Sequence, residues 1–240
     1  NWIISVALIL LISIAWLVNQ SLTKQGIFAF STTGPAAPWQ AQWYLARTEA
    51  TKMGSAPILA HIYARNADGS DIADPNKALE VDFNFYTPSG SSFTVTIIDI
   101  NPPVLKSMTR SSSPVLNSEW YKNYERPANA AAYEINLSPR QALQETLADA
   151  LTRIDAWRLR GDIQLELPYI LGNGAGSTPP LQWDVFYDPV HDAKLVDPSS
   201  YKGGALFYRL SPSTWKIIST EWLDDLLFPA TATPSTTTSP

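Results

Sequence analysis

The chain has 240 residues, 45% hydrophobic, with a formal net charge of −5 and a pI near 5.0. An acidic balance argues against DNA or RNA as partners, since nucleic acid needs a basic face. The absence of cysteine removes disulfides, thiol catalysis, cysteine-ligated iron–sulfur clusters, covalent c-type haem and cysteine-type zinc sites together. Nine Trp, ten Tyr and eight Phe nonetheless indicate a packed core.

In chain order, the first element is the uncharged run Trp2–Val18, in which eleven of seventeen residues are Ile, Leu or Val. Each contributes roughly −0.3 to −0.6 kcal/mol towards insertion in lipid, so the run reads as a transmembrane helix. At about 1.5 Å per residue it reaches the short end of a bilayer span. Trp2 and Trp16 stand near its ends at headgroup level, with Leu10 at its centre. Val18-Asn19-Gln20 offers no small-x-small cleavage site, which separates the run from a signal peptide. Residues 1–20 are therefore expected to form a single-pass anchor in the lipid bilayer, with the bulk of the chain on the extracytoplasmic side. A cysteine-free domain there suits a bacterial periplasm.

Residues 21–37 read as a juxtamembrane linker. Trp39, Trp43, Ala46, Ala50 and Met53 recur at helical spacing and predict an amphipathic helix over 38–53. Strands are expected at Ile58–Ala64, at Val81–Phe85 and at Phe93–Ile97, the last two from strict alternation. A first α+β unit thus covers 38–103. Asn101–Arg126 shows no period, and 104–137 reads as a connection between units, with a short strand at Ala132–Leu137. Ser138, Pro139 and Gln141 form a capping-box helix start, followed by the stripe Leu143, Leu147, Leu151 and Ile154. Strands are expected at Ile163–Leu167, Gln182–Tyr187, Ala205–Leu210 and Trp215–Ile218. Trp222, Leu223, Leu226 and Leu227 predict a short helix. The second unit covers 138–229, and 230–240 is a Thr/Ser/Pro-rich tail.

Sliding the chain by 101 residues places Pro38-Trp39-Gln40-Ala41 on Pro139-Arg140-Gln141-Ala142, and Phe85-Tyr86-Thr87-Pro88 on Phe186-Tyr187-Asp188-Pro189. A shift of 102 matches the strand alternation better, pairing Val81, Phe83 and Phe85 with Trp183, Val185 and Tyr187. The fold class expected is α+β: the anchor, then two duplicated units, each an antiparallel sheet with a helix packed across one face. Over Ser138–Leu210, the capped helix, the Pro-closed strand and Gln182-Trp183-Asp184-Val185-Phe186-Tyr187-Asp188-Pro189 resemble PepSY-type repeats. The acidic-then-Gly turn of those repeats is only loosely matched, at Asp197–Gly203. The resemblance implies an extracytoplasmic regulatory or interaction role.

Catalytic patterns are weak. His61 lies in an expected strand and reads as structural; His191 lies in a polar turn, and neither has metal-ligand spacing. No nucleophile elbow supports a Ser-His-Asp triad. Asp68, Asp71, Asp74 and Asn76 supply loop oxygens suited to calcium but lack the EF-hand order. Gly172–Ser177 leads to Pro179-Pro180 and a strand, unlike a phosphate loop. Asp224-Asp225 suits a wet helix face. Arg153, Arg158 and Arg160 form a small basic group. No cofactor, metal or catalytic residue is therefore assigned. The expectation is a non-catalytic accessory or scaffolding subunit whose partners are integral membrane subunits; one such setting is a bacterial respiratory or photosynthetic electron-transfer complex. Trp120, Tyr121, Tyr124 and Trp222 are the candidate interaction surface. The rivals are a free-standing sensor or ligand-binding module and an anchored hydrolase.

Overall fold

The computed structural model describes residues 37–87, 91–110, 124–125, 134–167, 170–171 and 181–223. They comprise two helices, α1 (Trp39–Met53) and α2 (Pro139–Ala150). The strands are β1 (Ile58–Asn66), β2 (Leu79–Tyr86), β3 (Ser92–Ile98), β4 (Val104–Arg110), β5 (Tyr124–Glu125), β6 (Trp157–Leu159), β7 (Ile163–Glu166), β8 (Ile170–Leu171), β9 (Trp183–Pro189), β10 (Ala205–Leu210) and β11 (Ile217–Leu223). Nine strands form one antiparallel sheet in the order β11-β10-β9-β7-β1-β2-β3-β4, with β6 on β9 beyond the end of β7. β5 and β8 pair separately.

This arrangement corrects the expected fold class. The protein is dominated by a single continuous sheet, where two separate units, each with its own sheet, were expected. Each half contributes a helix and a run of antiparallel strands, and β1 of the first half and β7 of the second then pair with each other from Ala64↔Ile163 to His61↔Glu166. An unpaired strand edge exposes a row of N–H and C=O groups, so mutual pairing of two edges satisfies both at once. Among the described residues no helix is long and apolar enough to cross a membrane. The single-pass transmembrane expectation thus finds no helix in the structure, and its segment, Trp2–Val18, lies outside the described residues.

Three local readings also change. Val104–Arg110, expected as irregular connection, is edge strand β4, whose polar and largely exposed sequence VLKSMTR carries no burial pattern. Trp222 and Leu223 end strand β11 instead of starting a helix. Glu134–Leu137 is not a strand, although Ile135 and Leu137 are fully buried.

Local chemistry explains the elements that position the core. Ser138 Oγ accepts from the Gln141 N–H while the Gln141 side chain accepts from the Ser138 N–H, a reciprocal cap that starts α2. α1 ends at Gly54, where an added Cβ would meet Thr87 Cγ2 at 2.7 Å. The side chains of α1 stack onto the sheet, Trp39 on Phe83 at 5.6 Å and Trp43 on Phe85 at 6.1 Å between ring centres. Under α2, the Tyr187 hydroxyl meets Thr146 Oγ1 at 2.7 Å, and Trp157 Nε1 donates to the Ala150 carbonyl. Buried polar tips of large rings are thereby satisfied.

One buried ion pair joins the halves. Asp99, at the end of β3, accepts from Arg140 of α2 through Nε at 2.9 Å and Nη2 at 2.6 Å, and from the Leu79 N–H at 2.6 Å. The two side chains are 0% and 5% exposed, so this contact is deep in the fold. Burial pushes the Asp99 carboxyl up, opposed by Arg140 and the Leu79 amide.

Candidate functional site

Directly paired residues of an antiparallel sheet share a face, so the register sorts the two surfaces residue by residue. One row across the sheet reads Met108, Val95, Phe83, Ile62, Leu165 and Trp183, and this face carries the helices. The adjacent row reads Ser107, Thr96, Asp82, Tyr63, Gln164, Asp184, Arg209 and Ser219. The next row on that second face reads Thr109, Thr94, Asn84, His61 and Glu166. No described helix lies over this second face, and it is the candidate site.

Its chemistry is mixed in a consistent way. Arg65 reaches Glu80 at 2.5 Å and Asp82 at 2.9 Å, and Lys106 also bonds Glu80. Burial works against ionisation of Glu80, but Lys106 and Arg65 outweigh it and hold the carboxyl below its ordinary range. Thr96 Oγ1 donates to Asp82 at 2.7 Å, and Thr94 Oγ1 to Asn84 at 2.5 Å. Towards the other edge, Arg209 bonds Glu221 at 3.0 Å, and Arg160 lies 3.6 Å from Asp188. Aromatic rings are set among these charges. Phe186 stacks on Phe207 at 4.2 Å between centres, with the Arg209 guanidinium 4.7 Å over the Phe207 ring. His61 stacks on Tyr63 at 6.0 Å.

A pocket of about 370 Å³ opens on this face at the β1–β3 end, lined by His61, Tyr63, Asn84, Phe85, Tyr86, Ser92, Phe93 and Thr94. It lies within the first half of the chain. Burial raises the Tyr63 phenol, and the Glu166 and Asp162 carboxylates push it the same way.

The residues singled out from sequence are dispersed. Trp2, Leu10, Trp16, Trp120 and Tyr121 lie outside the described residues, as do Gly172–Ser177 and Asp224-Asp225; for Tyr124 only the backbone is described, paired with Leu171. Trp222 is half-buried on the helix-covered side, edge-on to Tyr201 at 5.2 Å, near Trp157 at 6.4 Å and beneath Arg153. His61 and His191 are not brought together: about nine residues along the strand direction separate their levels, roughly 30 Å at ~3.3 Å per residue. The His191 side chain is 94% exposed, with Asp192 at 2.8 Å. In the 68–76 loop, Asp68 is held by Lys77 at 2.8 Å and by the Ser70 amide, and its carboxyl falls to about 2. Asp74 accepts from Asn76 instead, and no group of three or more metal-ligating side chains gathers among the described residues. Arg153, Arg158 and Arg160 each face a carboxylate, Asp149, Asp71 and Asp188 respectively. Sequence reasoning gave no site role to Tyr63, Tyr86, Glu166 and Phe186; the available signal was each strand's alternation and, for Tyr86 and Phe186, the repeated Phe-Tyr-x-Pro pattern.

No protein-family model matches the sequence, and no curated protein does. Among solved structures, the chain is similar to a candidate lipoprotein from Clostridium difficile 630, with 8% sequence identity and a TM-score of 0.42, over 80% of this chain and 97% of that one. A likeness at this level defines neither the fold nor the role of the present protein.

Proposed function

We propose that this chain is a non-catalytic accessory module that works outside the cytoplasm and holds a protein partner on the helix-free face of its sheet. The observation that carries this reading is the asymmetry between faces. One buries Trp, Phe, Ile and Leu beneath α1 and α2; the other sets half-buried Phe186, Tyr63 and Tyr86 among paired charges. A face that needed only to be wetted has no use for such rings. Aromatic anchors inside a polar, charge-paired surround are the composition of recognition surfaces. The extracytoplasmic setting draws on sequence alone, the apolar run Trp2–Val18 having the composition that export machinery engages. The expected partner is an integral membrane subunit of a larger complex, and kinship with PepSY-type units over Ser138–Leu210 belongs to the same proposal.

The test is native mass analysis of the tagged full chain purified in mild detergent, as wild type and as Phe186→Asp. The expected result is a stoichiometric partner on wild type and a loss of roughly thirtyfold or more in its affinity with Phe186→Asp, the effect of removing a central aromatic anchor. A wild-type chain that runs alone, or a partner retained equally by a folded Phe186→Asp variant, refutes the proposal.

A further inference from the structure

We propose that the pocket at the β1–β3 end of the open face binds an organic cation bearing N–H groups, an alkylammonium or a guanidinium. The inference rests on the reading of this face as the recognition surface, and three observations in and beside the pocket carry it.

First, its walls are aromatic. His61 and Tyr63 stack with an interplanar angle of 13°, and Tyr86 lines the same cavity. Ring faces attract cations through their quadrupole. Second, none of the eight lining residues is Lys or Arg. Third, Glu166 stands directly opposite His61 across the β1–β7 pairing, exposed and on the same face. Among the described residues it carries no ion pair, whereas Glu80, Asp82, Asp184, Asp188 and Glu221 of this face each sit beside an Arg or Lys. A carboxylate kept unpaired beside an aromatic-walled cavity leaves a negative charge for an incoming group. A carboxylate takes charge-assisted hydrogen bonds from N–H donors, which favours ammonium and guanidinium over a quaternary ammonium that has no N–H to give. A cation seated here would therefore meet ring faces, the Glu166 carboxylate and the side-chain oxygen of Asn84.

The experiment is isothermal titration calorimetry on the full chain in mild detergent with four probes: agmatine, the peptide acetyl-Gly-Arg-Gly-amide, its citrulline analogue, and tetramethylammonium. Saturable binding of agmatine or the arginine peptide is expected, with the neutral citrulline peptide and tetramethylammonium at least about fivefold weaker. Glu166→Gln, at an exposed position, should weaken binding by about two- to fivefold without lowering the melting temperature, and Tyr63→Leu should do likewise. A tighter arginine peptide assigns the pocket to a side chain of a protein partner, and tighter agmatine to a free amine; either supports the proposal. No saturable binding of either cation, equal binding of the citrulline peptide or of tetramethylammonium, or an undiminished Glu166→Gln variant overturns it. If the partner is lost with Phe186→Asp while no probe binds, the pocket assignment fails and the face reading stands.

Discussion

Replacing Arg140 by Met tests whether the two halves are fastened through Asp99. The substitution keeps most of the side-chain volume but withdraws both guanidinium bonds, at 2.9 and 2.6 Å, from a carboxylate that is 0% exposed. Asp99 keeps the Leu79 amide, and its own carbonyl still accepts from the Ala37 N–H that leads into α1. Breaking a buried pair on one side typically costs about 3–5 kcal/mol, because the remaining charge is stranded in low dielectric. For a domain of this size each kcal/mol lowers the melting temperature by about 2–4 °C, so a fall of roughly 6–20 °C is expected. Burial already raises the Asp99 carboxyl, and loss of Arg140 raises it further, so the penalty should shrink as pH falls and Asp99 takes up a proton. The assay is urea unfolding followed by Trp fluorescence for Arg140→Met, Asp99→Asn and the double variant. The double variant should be more stable than the summed single losses predict, by at least about 1.5 kcal/mol. A cost for Arg140→Met below about 1 kcal/mol, or additivity within about 0.5 kcal/mol, refutes the reasoning.

Other elements give separate tests. Ser138→Ala removes the capping box of α2 and should cost about 1 kcal/mol by urea unfolding, while Ser138→Gly costs less. Tyr187→Phe removes a buried hydroxyl and strands Thr146 Oγ1 only in part, since that group also donates to the Ala142 carbonyl at 2.9 Å; a loss of about 1 kcal/mol is expected, and an unchanged unfolding midpoint contradicts it. Glu80 has a folded-state pKa below its ordinary 4.5, so its ion pairs stabilise the fold fully above that value and lose their effect as pH drops through the depressed folded value. The stability difference between wild type and Glu80→Gln should accordingly be constant from pH 6 to 7 on calorimetry and narrow below about pH 4.5.

What could be read in the sequence was whatever local chemistry encodes. The start of α2 was legible because Ser138, Pro139 and Gln141 act on amides three residues away, and β2 and β9 because Val81–Phe85 and Trp183–Tyr187 alternate with polar residues. The burial of Val81, Phe83 and Phe85 alongside Trp183, Val185 and Tyr187 follows the shift of 102. Edge strands were legible only in part: the expected strand Trp215–Ile218 overlaps the start of β11, but β4 is exposed and needs no apolar stripe, and Trp222 owes its burial to Tyr201, Trp157 and Arg153. Composition by itself determined that no cysteine thiol is available in this sequence and that a substantial core exists. Only the tertiary structure decided that β1 and β7, about a hundred residues apart, close into one sheet, because a strand carries no record of which edge will satisfy its own. That same pairing placed Glu166 beside His61 on the face that carries no described helix, which no spacing along the chain could show.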